Sequence, residues 1–169
     1  MKKTMLFIVA IGIGISTFAQ SFTENFENRL THKEDFTVVN ISAKMFELMA
    51  KIADEDLQQI VSNLKSMKIL TTGKDASKYY NEAIKLLTTD KTYEELMSVQ
   101  ENKETIRMFT QEEKGTITEL VIAILEPEEF ILIGFNGKID LKEMARIAKM
   151  IDIKGVEQLE KIKPQNNKQ

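Results

Sequence analysis

TITELVIAILEPEEFILIGFNGKIDLKEMARIAKMI, residues Thr116 to Ile151, is the stretch on which the fold turns. Ile117–Leu125 and Phe130–Phe135 are two runs of Val, Ile, Leu and Phe, side chains that fit a pleated, buried surface. Glu126-Pro127-Glu128-Glu129 separates them as a turn. Asn136-Gly137 is expected to end the second strand. A helix should then start at Asp140, with Asp140 as N-cap and Glu143 completing a capping box. Leu141, Met144, Ala145, Ala148 and Ile151 would face the sheet at helical spacing. The stretch therefore reads as a central antiparallel hairpin with a helix returning across it. Strands wet on one face alternate apolar and polar residues, whereas Leu120–Leu125 and Phe130–Phe135 are apolar on both faces. Both strands are expected at the sheet centre, covered on both sides. Helices would supply both covers, or a second chain would supply one as a homodimer contact through the sheet face.

Upstream of this hairpin the pattern adds strands and helices. Tyr93–Val99, with Met97 and Val99 on one side, and Thr105–Thr110, with Ile106 and Met108 alternating against Arg107, are strands joined by a turn at Glu101-Asn102-Lys103. Gln111–Gly115 is a charged turn into the hairpin, so four consecutive strands should form an antiparallel meander. Ser66–Thr72 is a further strand with Met67, Ile69 and Thr71 alternating, broken by Gly73. Asp75 is placed to cap a helix carrying Ala76, Tyr79, Tyr80, Ala83, Ile84 and Leu87. Near the start, Ser21–Leu30 reads as a helix, with Ser21 and Glu24 as a capping box and Phe22, Phe26 and Leu30 on one stripe. Phe36–Ile41 is a short strand, and Ser42 could cap a helix whose apolar face is Met45, Leu48, Met49 and Ile52. Leu57, Ile60, Val61 and Leu64 continue at helical spacing beyond the acids Asp54-Glu55-Asp56. This stretch is either two helices or one with a kink near Asp54. The expectation is a single α+β domain over residues 20–153. Its mostly antiparallel sheet of five to six strands packs against three to five helices. Residues 154–169 follow as a polar, partly disordered tail, in which Val156, Leu159 and Ile162 form at most a weak final turn.

Residues 1–19 read as an address. Met1-Lys2-Lys3 is a positive start, Met5–Ile15 is an apolar run of signal-peptide length, and Thr17-Phe18-Ala19 puts small residues at the −3 and −1 positions. The run falls short of the ~20 apolar residues of a spanning helix. Cleavage is expected after Ala19, which leaves Gln20 first and no stable membrane anchor. With no cysteine in the chain, a lipid-anchored cysteine, a disulfide, a thiolate nucleophile and Cys-ligated zinc are all excluded. The mature protein is expected in the periplasm or outside the cell. Losing Lys2 and Lys3 takes the formal charge from −3 to −5, a poor balance for gripping a phosphate backbone, so no nucleic-acid partner is expected.

The motif matches yield no catalytic, cofactor-binding or metal-binding residue. Gly137, Ile139 and Glu143 match positions 6, 8 and 12 of a calcium loop, but positions 1 and 3 would be Leu132 and Gly134, which offer no carboxylate. Ser62-Asn63-Leu64-Lys65 matches the S-x-x-K nucleophile motif without its companion motifs, and a helix would turn both residues to the polar side. His32, the only histidine, sits in a polar break and reads as a solvated surface side chain. Glu94-Glu95, Glu112-Glu113 and Glu126–Glu129 lie in turns or near strand starts as solvated charge, rather than as a pair facing across a cleft. The mature methionines Met45, Met49, Met67, Met97, Met108, Met144 and Met150 read as core packing.

The order Val38-Val39-Asn40-Ile41-Ser42-x-x-Met45-Phe46, Ser66-Met67-Lys68-Ile69-Leu70, Tyr93-Glu94-Glu95-Leu96-Met97, Glu119-Leu120-Val121 and Asn136-Gly137-x-Ile139-Asp140-Leu141 resembles the domain-of-unknown-function family 4252. The resemblance covers roughly Phe22 to Ile151. It implies a small exported α+β domain of a Gram-negative envelope and carries no known activity, substrate or cofactor. Some members look like lipoproteins, whereas this chain lacks the cysteine. It also implies a place near sigma-factor genes and hence envelope signalling. Export, the lack of a catalytic set and the doubly apolar sheet centre together point to a non-enzymatic envelope protein that works by binding another protein. The alternative is a periplasmic binder of a small hydrophobic ligand, with methionines and aromatics lining a pocket between helices and sheet. An enzyme without a recognisable motif ranks third.

Overall fold

The computed structural model describes residues 20–53, 55–142 and 144. The chain runs α1 (Phe22–Arg29), a 3-10 turn (Lys33–Asp35), β1 (Thr37–Ser42), α2 (Ala43–Ile52), α3 (Glu55–Ser62), β2 (Leu64–Thr72), α4 (Ala76–Thr89), β3 (Tyr93–Glu101), β4 (Glu104–Glu113), β5 (Thr116–Leu125) and β6 (Phe130–Ile139). The six strands form one antiparallel sheet in the order β1-β2-β6-β5-β4-β3. This is the α+β architecture read from the sequence, and β3 to β6 are the expected meander. The hairpin β5–β6 is central. Glu126 N–H donates to the Glu129 carbonyl at 2.8 Å and closes the turn between its strands.

Helices pack on both faces of this hairpin, because its strands are apolar on both. On one face Val121, Ala123, Phe130 and Leu132 join Phe22, Phe26, Leu30 and Phe36 with Tyr79, Tyr80, Ala83 and Leu87. This is the α1–α4 face. On the other, Leu120, Ile122, Ile124, Ile133 and Phe135 join Phe46 and Ala50 of α2, Val61 of α3, and Met144. The helix that begins after Asp140 contributes here. Lys142 N–H donates to Asp140 Oδ1 at 2.8 Å, and Met144 N–H to the Asp140 carbonyl at 2.9 Å. Asp140 is thus the expected cap, and Leu141 and Met144 face the sheet.

Four sequence readings are corrected. Asn136-Gly137 does not end β6, which continues to Ile139. Gly137, at φ 145°, passes so close to the start of β2 that a Cβ would lie 2.3 Å from the Asn63 carbonyl oxygen. The glycine permits a close approach of β6 to the junction of α3 and β2, where a turn was expected. The apolar face of α2 is also different: the helix buries Phe46 and Ala50 and leaves Met45, Leu48 and Ile52 exposed. Ser42 and Asp75 occupy N-cap positions but make no side-chain capping bond. Asp75 has left-handed backbone (φ 50°) and caps α4 through its carbonyl, which accepts from Lys78 and Tyr79 N–H. Finally, Leu64 does not continue the helical run but opens β2. Of the two readings left open near Asp54, the structure has two helices, α2 and α3, parted by extended Ala53 (ψ 158°). The signal segment 1–19, Asp54, the side chains of Leu57 and Ile60, Glu143, Ala145, Ala148, Met150, Ile151 and the tail lie outside the described residues.

Candidate functional site

Two places in the molecule combine features that packing alone does not require. The first is a polar row that crosses the whole sheet near one end. Strand register pairs Ser42 with Ser66, Ser66 with Asn136, Asn136 with Glu119, Glu119 with Gln111 and Gln111 with Tyr93. Partners in an antiparallel ladder share a face, so all six strands contribute one polar residue to the α1–α4 side. Register shifts fall beside this row in β2 (Leu64/Ser66), β4 (Gln111/Glu112) and β5 (Ile117/Glu119). Bulges of this kind re-aim side chains at the end of a ladder.

Glu119 is the pivot of the row. It is 3% exposed. Its Oε1 accepts the backbone N–H of Phe22, the first residue of α1, at 2.8 Å. Its Oε2 accepts the Tyr93 hydroxyl at 2.6 Å, across the intervening strand β4. Burial raises the Glu119 pKa from its ordinary value, and the bonds from Tyr93 and Phe22 pull the other way. Burial, and then the neighbouring Glu119 carboxylate, push the Tyr93 hydroxyl above its usual range. Ser21 Oγ accepts from Glu24 N–H at 3.3 Å, the forward half of the expected capping box. A cleft of about 390 Å³ opens beside the row, lined by Ser21, Glu24, Ser66, Gln111, Glu119 and Asn136. Both Glu119 oxygens already hold a donor. The carboxylate therefore acts as a clamp that ties the start of α1 to the sheet and satisfies an otherwise orphaned helix N–H. Sequence reading passed over Glu119 because it stands alone between Thr118 and Leu120, with no partner nearby in the chain.

The second place is the outer side of β1 and α2. Among the described residues, the exposed large apolar side chains are Val39 (42%), Met45 (51%), Leu48 (48%) and Ile52 (89%), all in these two adjacent elements. Met45, Leu48 and Ile52 fall at i, i+3 and i+7 and form one stripe down α2. Lys44, Glu47 and Lys51 form a second, charged stripe, in which Lys44 Nζ lies 2.8 Å from Glu47 Oε2. The Lys44 bond, more than its charge, holds the Glu47 carboxyl below its ordinary value.

The motif matches dissolve once placed in the fold. Ser62 ends α3 and Lys65 lies in β2, so the S-x-x-K residues do not share a helix. Gly137 and Ile139 belong to β6 and form no metal loop. His32 is exposed, with Nδ1 3.2 Å from Glu34 Oε1. Glu95 is not simply solvated: it pairs with Arg107 across β3 and β4, and the Arg107 hydrogen bond lowers its pKa. Met67, Met108 and Met144 are core residues as expected, whereas Met45 is on the surface. Among the described residues, no group of three or more His, Asp or Glu is placed to hold a metal ion, and no helix is long and apolar enough to cross a membrane.

Fold and site together define a six-stranded antiparallel α+β domain with helices on both faces and an apolar surface at one edge. The chain belongs to the family described as domain of unknown function (DUF4252), whose family model matches residues 26–147. No curated protein matches it.

Proposed function

We propose that this chain is an exported, non-enzymatic protein that acts by binding another protein through the Met45–Leu48–Ile52 stripe of α2. The observation that carries this reading is that, among the described residues, the exposed large apolar side chains fall in β1 and α2. A contiguous apolar surface rimmed by charge marks an interaction site, whereas singly scattered apolar residues do not. The spacing i, i+3, i+7 suits an amphipathic helix of the partner, packed ridge into groove. The neighbouring stripe carries two lysines, Lys44 and Lys51, to one glutamate, Glu47, and this net positive charge favours acidic residues flanking that partner's apolar face. Export rests on residues 1–19, with processing after Ala19 delivering the domain to the periplasm or beyond.

The test is site-specific photo-crosslinking in the native envelope, with the crosslinker at Leu48 or Ile52 and, as control, at exposed Lys85 on α4. One partner trapped from 48 and 52 but not from 85, through an amphipathic helical segment and lost on Met45→Glu, is the expected result. The same products from all three positions, or none from α2, would overturn the reading. Amino-terminal sequencing of the envelope form checks for Gln20 as the first residue.

A further inference from the structure

We infer that the β1 edge is where two copies of this chain pair, antiparallel, into one continuous sheet. The argument begins with the two edges of the sheet. An edge strand presents unpaired N–H and C=O groups, and proteins that stay monomeric guard it with charge, bulges or cover. At the β3 edge, Tyr93–Glu101 carries Glu94, Glu95 and Glu101 and is bulged between Glu95 and Met97. At the β1 edge, Thr37-Val38-Val39-Asn40-Ile41-Ser42 carries no charge, no proline and no glycine, and it pairs with β2 residue for residue without a shift. Helices already pack on both sheet faces, so the backbone edge is the accessible surface for pairing.

Symmetry selects the occupant. A two-fold axis perpendicular to the sheet makes an isologous contact, in which each strand meets its own copy running the opposite way. Facing residues must then lie on the same side of the sheet. Only two central registers satisfy this for β1. With Val39 on the axis, Val39 meets Val39 and Thr37 meets Ile41. With Asn40 on the axis, Val39 meets Ile41 and Val38 meets Ser42. In both, exposed Val39 gains an aliphatic partner and no charge faces a like charge. Self-pairing of β3 would instead bring six carboxylates to one seam. The same two-fold sets both α2 helices on one side of the joined sheet, because Val39, Ile41 and α2 share the face of Met67 and Ile69. The dimer would thus present two apolar α2 stripes to a partner, and it stands or falls independently of that partner.

Sedimentation of the mature chain tests this. The expected result is a particle of twice the chain mass at ten micromolar. Val39→Lys and Val39→Glu should each sediment as monomers with an unchanged circular dichroism spectrum. An equimolar mixture of the two should recover the double mass, because opposite charges then meet near the axis. Recovery cannot arise from misfolded chains, so a simple folding defect is distinguished. A wild-type monomer at one hundred micromolar, or a dimer that both single variants leave intact, would overturn the proposal. Loss of the photo-crosslinked partner with the dimer intact would count only against the partner reading.

Discussion

On the α1–α4 face the central strands set Ala123 and Gly134 among Val121, Phe130 and Leu132, and α1 comes down close enough for Thr23 to sit against Gly134. On the α2–α3 face the same strands present Leu120, Ile122, Ile124, Ile133 and Phe135, and bulky aliphatics do the filling. The first face is aromatic and cross-tied. Phe22 meets Tyr93 edge-on at 5.7 Å, Phe26 meets Phe130 at 6.1 Å and Phe36 meets Tyr79 at 4.9 Å. Glu119 holds the start of α1, and Glu27 of α1 pairs with Lys68 of β2. The second face is held by apolar contact, and its helix α2 keeps an apolar stripe in solvent. One face is built for a fixed position and the other leaves surface over, which is why the interaction reading falls on α2.

The largest expected effect sharpens this comparison within α2 itself. Phe46 is buried in the core of the α2–α3 face. Phe46→Ala should cost about 4 kcal/mol through lost burial and the cavity left behind, read as a fall in midpoint in urea unfolding. On the other face, Gly134→Val should cost about 3 kcal/mol by overpacking. A Cβ at this position would lie 2.6 Å from Thr23 Cγ2 and 2.8 Å from its Oγ1, so α1 must lift from the sheet. Hydrogen exchange should show α1 amides losing protection first. If α1 stays protected, the close seating of that face is not what holds the helix.

Glu119→Ala ranks next, at about 2 kcal/mol, because the Phe22 N–H and the Tyr93 hydroxyl lose their acceptor. The isosteric Glu119→Gln isolates the charge. Burial raises the folded-state pKa above the ordinary 4.5, so the folded protein holds this proton more tightly than the unfolded chain does. The group's contribution to stability is therefore fully present below about pH 4.5 and is lost as pH climbs through the raised pKa. The wild type should lose ground against Glu119→Gln over that interval, measured as the difference between two urea midpoints at each pH. Glu95, lowered by Arg107, slopes the other way in both proteins and cancels in the difference.

The meander and its central hairpin were legible because two strands apolar on both sides leave one placement, at the centre of a covered sheet. Other elements were not, for local reasons. In α2, Met45, Leu48, Met49 and Ile52 match helical spacing, but Phe46, Met49 and Ala50 form an adjacent apolar stripe. Periodicity cannot rank two stripes on one helix, and the aromatic ring takes the core. Asn136-Gly137 has turn composition, yet Gly137 serves a close backbone approach to Asn63, a contact more than seventy residues away in sequence. The polar row exists only once the register of all six strands is known. Its members are ordinary residues separated by 8 to 70 positions, and no spacing rule joins them.

The smallest expected effect is the most telling for the comparison. Leu48→Glu should change stability by less than about 0.5 kcal/mol, as for a surface substitution. Leu48 is about half exposed, so the folded state gives up little burial when it is replaced. Lys44 precedes it by four residues and Lys51 follows by three, so a glutamate there gains helical ion pairs of a few tenths of a kcal/mol. These terms nearly cancel, and the thermal midpoint should stay within about 2 °C of the wild type, given the scaling for a domain of this size. A loss near that of Phe46→Ala would mean that the stripe is covered in the working protein, by its own chain or by a second one. The same variant in a mixed sample with excess wild type then decides which. Burial within one chain leaves its low midpoint unchanged, whereas burial against a second copy lets the wild type raise it.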